Sequence, residues 1–192
     1  MGKAKNSALA VLLLVSMSAC GQAVGAPPVS APLTTAPTTM PTVWEPTSEA
    51  PEPTTCPASG IRYGAGVIEA ALGHRAVVLT LANCGQSPQE INGYPDVRVL
   101  GPQRQPLDVR VNHDSSYMAT DPGPTKVTLA TGEKLLSVVS WSATVTDGDT
   151  ITGAALSVTT VPGEALQFLT VKTDLGTTGE VDVTAWATKI AQ

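Results

Sequence analysis

From Leu107 onward, Leu107, Val109 and Val111 alternate with Asp108, Arg110 and Asn112, and this two-residue period recurs through most of the second half of the chain. Successive side chains of a strand point to opposite faces, so such a run makes one buried and one wet face. The pattern returns in short pieces. In His74–Asn83, Val77, Leu79 and Leu81 share one face, and the less apolar Val78, Thr80 and Ala82 share the other. Val97 and Val99 alternate with Asp96 and Arg98; Lys134–Val145 places Leu135, Val139, Trp141, Ala143 and Val145 on one side. Tyr63–Leu72, Val127–Leu129, Ala154–Val161, Leu166–Val171 and Glu180–Ala187 read as further strands, the first weakened by Gly64 and Gly66. Gly101–Gln105, Thr131-Gly132-Glu133 and Asp147-Gly148-Asp149 are turn chemistry, and the first is expected to close a hairpin into Leu107–Val111. Short strands with turn signals every 8–12 residues and no 3.6-residue period make an all-β antiparallel sandwich of about eight or nine strands in two sheets.

That pattern does not reach the N-terminus. Lys3 and Lys5 precede an apolar run from Ala8 to Val15, followed by Ser16-Met17-Ser18-Ala19-Cys20, which is the layout of an export signal. The run is too short for a bilayer core, which takes roughly 20 residues. Met17-Ser18-Ala19-Cys20 resembles a bacterial lipobox, with Met17 where leucine is usual. The resemblance implies cleavage after residue 19 and lipidation of Cys20, leaving residues 1–19 as the signal peptide. Several acyl chains, each methylene worth about 0.8 kcal/mol on burial, would hold the protein at the extracytoplasmic face of the cell membrane. The competing reading is an ordinary secreted chain in which Cys20 is incidental.

Residues 20–55 are rich in proline and threonine, and this composition cannot bury enough apolar surface to offset its ordering entropy. Polyproline II at about 3.1 Å per residue would let it span on the order of 100 Å. A stalk is expected, with Trp44 its one large aromatic. Residues 56–192 then suffice for one domain with a real core, carrying nine Lys/Arg against 13 Asp/Glu. Nucleic-acid binding needs clustered cations against phosphate, and no basic run is present, so that class is excluded.

Cys56 opens this domain and Cys84 follows a strand directly. Outside the cytoplasm a disulfide is the expected state; two separated cysteines with only His74 and His113 to join them lack zinc-ligand spacing. No cofactor or metal is expected. Asp147-Gly148-Asp149 lacks the further spaced ligands of a calcium loop. His113-Asp114-Ser115-Ser116 contains triad residue types, but adjacent loop residues seldom face one another across hydrogen-bond distance, and no G-x-S-x-G or H-E-x-x-H occurs. His74 reads as a surface or partly buried strand residue, and Trp141 and Trp186 as core.

The stretch Asn83–Leu100, N-C-G-Q-S-P-Q-E-I-N-G-Y-P-D-V-R-V-L, with Leu129-Ala130-Thr131-Gly132 leading to Trp141 downstream, resembles the actinobacterial family known as domain of unknown function 4232 over roughly residues 56–187. Gln89 stands where that family usually carries its second cysteine; Cys84 lies earlier. The resemblance implies an exported, often lipid-anchored, immunoglobulin-like sandwich and no particular chemistry.

The expected function is therefore a non-catalytic envelope module, probed first at the loops carrying Tyr94, Pro95, His113 and Tyr117, because function on sandwiches concentrates in loops. Its expected contacts are the membrane, through the lipid anchor, and an envelope protein or glycan, with the domain a monomer. A structural wall-associating protein and, more remotely, a hydrolase are the alternatives.

Overall fold

Period-two alternation becomes strand at nearly every run that shows it. The computed structural model describes residues 55–161 and 163–191, all within the compact unit Val43–Gln192. The lipobox with Cys20, the stalk and Trp44 lie outside the described residues. Among the described residues there is no helix. The strands are β1 (Ile61–Ala71), β2 (His74–Asn83), β3 (Gln89–Ile91), β4 (Asp96–Leu100), β5 (Arg110–His113) and β6 (Val127–Leu129), then β7 (Lys134–Ser142), β8 (Thr152–Gly153), β9 (Ala155–Thr159), β10 (Gln167–Leu169), β11 (Thr173–Asp174) and β12 (Glu180–Val183). Twelve strands replace the eight or nine expected, because β3, β8 and β11 are too short to show a period.

A five-stranded sheet runs in the order β1-β2-β7-β12-β5, and a three-stranded one in the order β10-β9-β4. Two small ladders, β11-β8 and β3-β6, complete the fold. The inner faces meet in one core: Tyr63, Val77, Leu79, Leu81, Leu135, Val139, Val181 and Val183 from the larger sheet pack with Val97, Val99, Leu156, Val158 and Leu169 from the smaller. Trp141 and Trp186 are core residues, as their strand faces imply. Each indole N–H still finds an acceptor at the rim, Asp174 Oδ1 at 2.9 Å for Trp141 and Thr160 Oγ1 at 3.0 Å for Trp186. Tyr63 stacks on Trp186 with ring centroids 6.1 Å apart and donates its hydroxyl to Glu164 Oε2 at 2.8 Å. Burial, aided by the Glu164 carboxylate, pushes the Tyr63 phenol far above its ordinary range.

Four local expectations change. The Gly101–Gln105 turn starts a hairpin, but pairing beyond it ends at the Leu100–Pro106 bridge and Leu107 N–H donating to Val99 O. Pro106 has no N–H to extend the ladder, and the chain crosses to the larger sheet, where β5 pairs parallel with β12. One ladder of an otherwise antiparallel sandwich is thus parallel. Leu72, read as the end of a strand, is instead in a two-residue turn with Gly73, both at positive φ, between partners Ala71 and His74. Val145, read as part of a buried face, lies beyond β7 and is 63 % exposed. Finally, the second face of β2 is not wet. Ala76, Val78, Thr80 and Ala82 are all buried, and Ala76 packs with Val138 and Ala119, joined by Met118 and Ile190.

The disulfide forms between Cys56 and Cys84, with Cα atoms 5.7 Å apart. Beside it Gly60 O accepts from both Cys84 N–H (2.9 Å) and Gly85 N–H (3.1 Å). A Cβ on Gly60 would meet Gly85 Cα at 3.1 Å, so the two backbones come this close only because both residues are glycine. Cys84 rather than the Gln89 position therefore completes the pair.

Candidate functional site

The polar segment 113–124 does not hang in solvent. It folds back across the outer face of the five-stranded sheet, and beyond its internal hydrogen bonds it is tied to Tyr94, Ala185 and Ala191. Ser116 N–H donates to Ala119 O at 2.8 Å, while Ser116 Oγ accepts from Met118 N–H (3.1 Å) and Ala119 N–H (3.3 Å). This tight turn places Met118 and Ala119 on the sheet and raises Tyr117, which is 63 % exposed. Thr120 N–H bonds Ala191 O at 3.0 Å, joining the segment to the C-terminal residues.

Asp121 fastens the other end. Its Oδ1 accepts from Ala185 N–H at 2.8 Å, its Oδ2 from the Tyr94 hydroxyl at 2.6 Å, and its own N–H donates to Ser115 Oγ at 2.8 Å. Partial burial pulls the Asp121 carboxyl up, but the donors from Ala185, Tyr94 and Gly123 and the nearby His113 outweigh it and hold the group below the usual carboxylate range. The same bond acts in reverse on its partner: donation to Asp121, with some burial, pushes the Tyr94 phenol up to about 12. Tyr94 also lies flat on His113, with centroids 4.0 Å apart and planes at 1°. Gly93, at φ 85°, provides the left-handed residue that turns the chain into Tyr94-Pro95, and its carbonyl accepts from Trp186 N–H at 3.0 Å.

The two loops singled out from sequence thus meet. Tyr94 and His113 are stacked, and Asp121 joins them. Pro95 does not belong to this surface: it is buried, because the turn points its ring inward ahead of β4. Tyr117 makes a different contact, stacking on His74 at 4.9 Å and 23°. His74 was legible only as a strand residue, and its pairing with a tyrosine 43 positions on comes from the fold.

Beside the His74–Tyr117 pair lies a cleft of about 120 Å³, floored by Ser140 and Ser142 and edged by Thr178, Glu180 and Asp182. Across the Ser116–Met118 wall an apolar hollow of about 290 Å³ is lined by Ala76, Ala119 and Val138. The carboxylates are held in place: Asn112 Nδ2 donates to Asp182 Oδ1 (3.1 Å) and Glu180 Oε2 (3.3 Å), and Arg110 Nε pairs with Glu180 at 3.2 Å. Sequence reasoning missed this polar row. Its signal was the alternation of Glu180 and Asp182 with Val181 and Val183, which marks an outward face, but only strand register places Ser140 beside Asp182 and Ser142 beside His74. Among the described residues no group of three or more His, Cys, Asp or Glu side chains is placed to hold a metal ion.

Fold and site together define a β-sandwich, closed by a disulfide just ahead of β1, with a loop-walled cleft on one sheet face. The family described as a domain of unknown function, DUF4232, matches residues 56–187, and the chain belongs to it. No curated protein and no solved structure matches the chain.

Proposed function

We propose that this protein is a non-catalytic envelope module, lipid-anchored through Cys20 at the extracytoplasmic face of the membrane, that presents the surface around residues 113–124 to a partner. The observation that carries the reading is polarity along β2. Cys84, bonded to Cys56 where the chain enters the domain, directly follows its last residue; His74, beneath Tyr117, is its first. Ten residues at about 3.3 Å each separate the two ends by about 30 Å, so the cleft lies at the end of β2 opposite the disulfide. The triad residue types support a non-catalytic reading in their placement. The His113 ring is stacked on Tyr94 and Ser115 Oγ accepts from the Asp121 amide, and among the described residues no hydrogen bond joins His113 to Ser115 as a base–nucleophile pair requires.

The test is capture from envelope extract by the full chain and by Tyr117→Ala. A protein or glycan retained by the first and lost by the second is the expected result. Retention of nothing by the intact domain, or turnover of ester, peptide or glycoside substrates that disappears in His113→Ala, overturns the proposal. Intact mass of protein from membranes should carry an acyl increment on Cys20; an unlipidated mass would remove the anchor.

A further inference from the structure

We infer that the cleft under Tyr117 binds a pyranose unit of a glycan, recognised by Asp182, Tyr117 and His74; this rests on the binding-module reading and names its ligand class.

The argument starts from unused hydrogen-bonding capacity. Asp182 Oδ1 is engaged by Asn112, but Asp182 Oδ2 has no protein partner among the described residues. The same holds for the Tyr117 hydroxyl and for the imidazole nitrogens of His74, whose ring is held only by stacking. All three residues border one cleft. It therefore offers an acceptor-only carboxylate oxygen, a hydroxyl that donates and accepts, and an imidazole that can do either.

Ligand classes sort on that inventory. A phosphate or sulfate meets Asp182 and Glu180, of which Arg110 neutralises only one, so an anion is repelled. An ammonium ion, a donor only, can engage the carboxylate and the lone pairs of Tyr117 and His74 but offers no acceptor to the Tyr117 O–H or the imidazole N–H. Sugar hydroxyls both donate and accept, and can match all three groups at once. A pyranose also carries an apolar face of C–H bonds, for which the exposed Tyr117 ring and the adjoining apolar hollow are suited. The adjoining hollow, about 290 Å³, lies just under the roughly 300–1,000 Å³ typical of small-molecule sites and the cleft, about 120 Å³, well under it, which limits the site to about one sugar ring.

Asp182 is held from below by Asn112 and the Arg110–Glu180 pair, and the loop turn at Ser116 holds Tyr117 above. Little rearrangement is needed on binding, which avoids the side-chain and loop ordering cost that association otherwise carries.

The experiment is an amide chemical-shift titration of the full chain with methyl pyranosides of glucose, galactose, mannose and N-acetylglucosamine, carried through tens of millimolar, with methylammonium and inorganic phosphate as comparison probes. The expected result is saturable shifts at Ser140, Ser142 and Thr178 with at least one pyranoside. Asp182→Asn, which keeps the shape, and Tyr117→Ala, which removes an exposed ring, should each weaken that binding tenfold or more with an unchanged melting temperature. Three results would overturn it: no saturable pyranoside shift, shifts that survive both substitutions, or methylammonium saturating the same amides in place of every sugar. If the intact domain captures an envelope partner through Tyr117 while every pyranoside fails, the glycan site falls and the binding module stands. If capture fails as well, both fall.

Discussion

Asn83 sits fully buried at the end of β2 with every polar group used. Its Nδ2 donates to Ser87 O and Leu129 O, both at 2.9 Å, and its Oδ1 accepts from Gly85 N–H at 3.0 Å. Its own amide donates to Glu133 O, and its carbonyl accepts from Gly132 N–H. Truncation strands the buried Leu129 O and removes one partner each from Ser87 O and from Gly85 N–H, which keeps Gly60 O, so Asn83→Ala should cost about 1–3 kcal/mol, read as a fall in the denaturation midpoint. Tyr94 and Asp121 test electrostatics instead. Asp121 titrates below its unfolded value, so the stability it adds is complete above that value and is lost as pH falls through the folded one. Tyr94 titrates above its unfolded value, so its share is complete below about pH 10 and is lost as pH rises toward about 12. Tyr94→Phe should therefore flatten both arms of a melting-temperature profile, shrinking the alkaline loss to the share that Tyr63 carries and shrinking the acidic one. Unchanged arms would mean the 2.6 Å bond carries no stability.

At the scale of elements, the β1–β2 hairpin is closed by Leu72-Gly73 with Leu72 at φ 48°, where a branched apolar side chain is strained, and the side chain is 85 % exposed. Asparagine tolerates this conformation and suits a two-residue hairpin turn, so Leu72→Asn should raise stability by about 0.5–1 kcal/mol. A loss instead would show that Leu72 makes a contact worth more than the strain. The opposite end of the hairpin is closed covalently. A 28-residue loop gives the Cys56–Cys84 bridge about 3–4 kcal/mol of unfolded-state restraint. Cys84→Ser should lose about that much, whereas the Gly60 carbonyl bonds to Cys84 and Gly85 should keep the strand ends in register. The amides of residues 84 and 85 should stay slow to exchange.

Across the whole molecule, the two main sheets are joined at one edge by a side chain. Gln167 Nε2 donates to Ile61 O at 2.8 Å and its Oε1 accepts from Tyr63 N–H at 3.2 Å, so a β10 glutamine stands in for a strand beside β1. Gln167→Ala leaves both backbone groups without that partner and should cost about 1–3 kcal/mol. Faster hydrogen exchange at the Tyr63 amide, with β7 amides unchanged, would confirm that the seam and not the core had opened.

The alternation of Val77, Leu79 and Leu81, or of Val181 and Val183, was enough to assign strands, an inward face and an all-β sandwich, because the period of side-chain direction is a local property of extended backbone. The cysteine spacing, with no metal-ligand pattern beside it, was likewise local enough to pair Cys56 with Cys84. The parallel β5–β12 ladder, the buried second face of β2 and the stacking of His74 on Tyr117 were not legible. Each depends on which distant segments become neighbours, and that is set by the register of whole sheets. Pro95 fell to the same cause: its sequence marks a turn, and only packing decides which side of a turn faces the core. Asp182, Ser140 and Asn112 become one surface because β12 pairs with β7 on one edge and with β5 on the other, a choice made by the burial of Val181 and Val183 rather than by the polar residues that line the cleft.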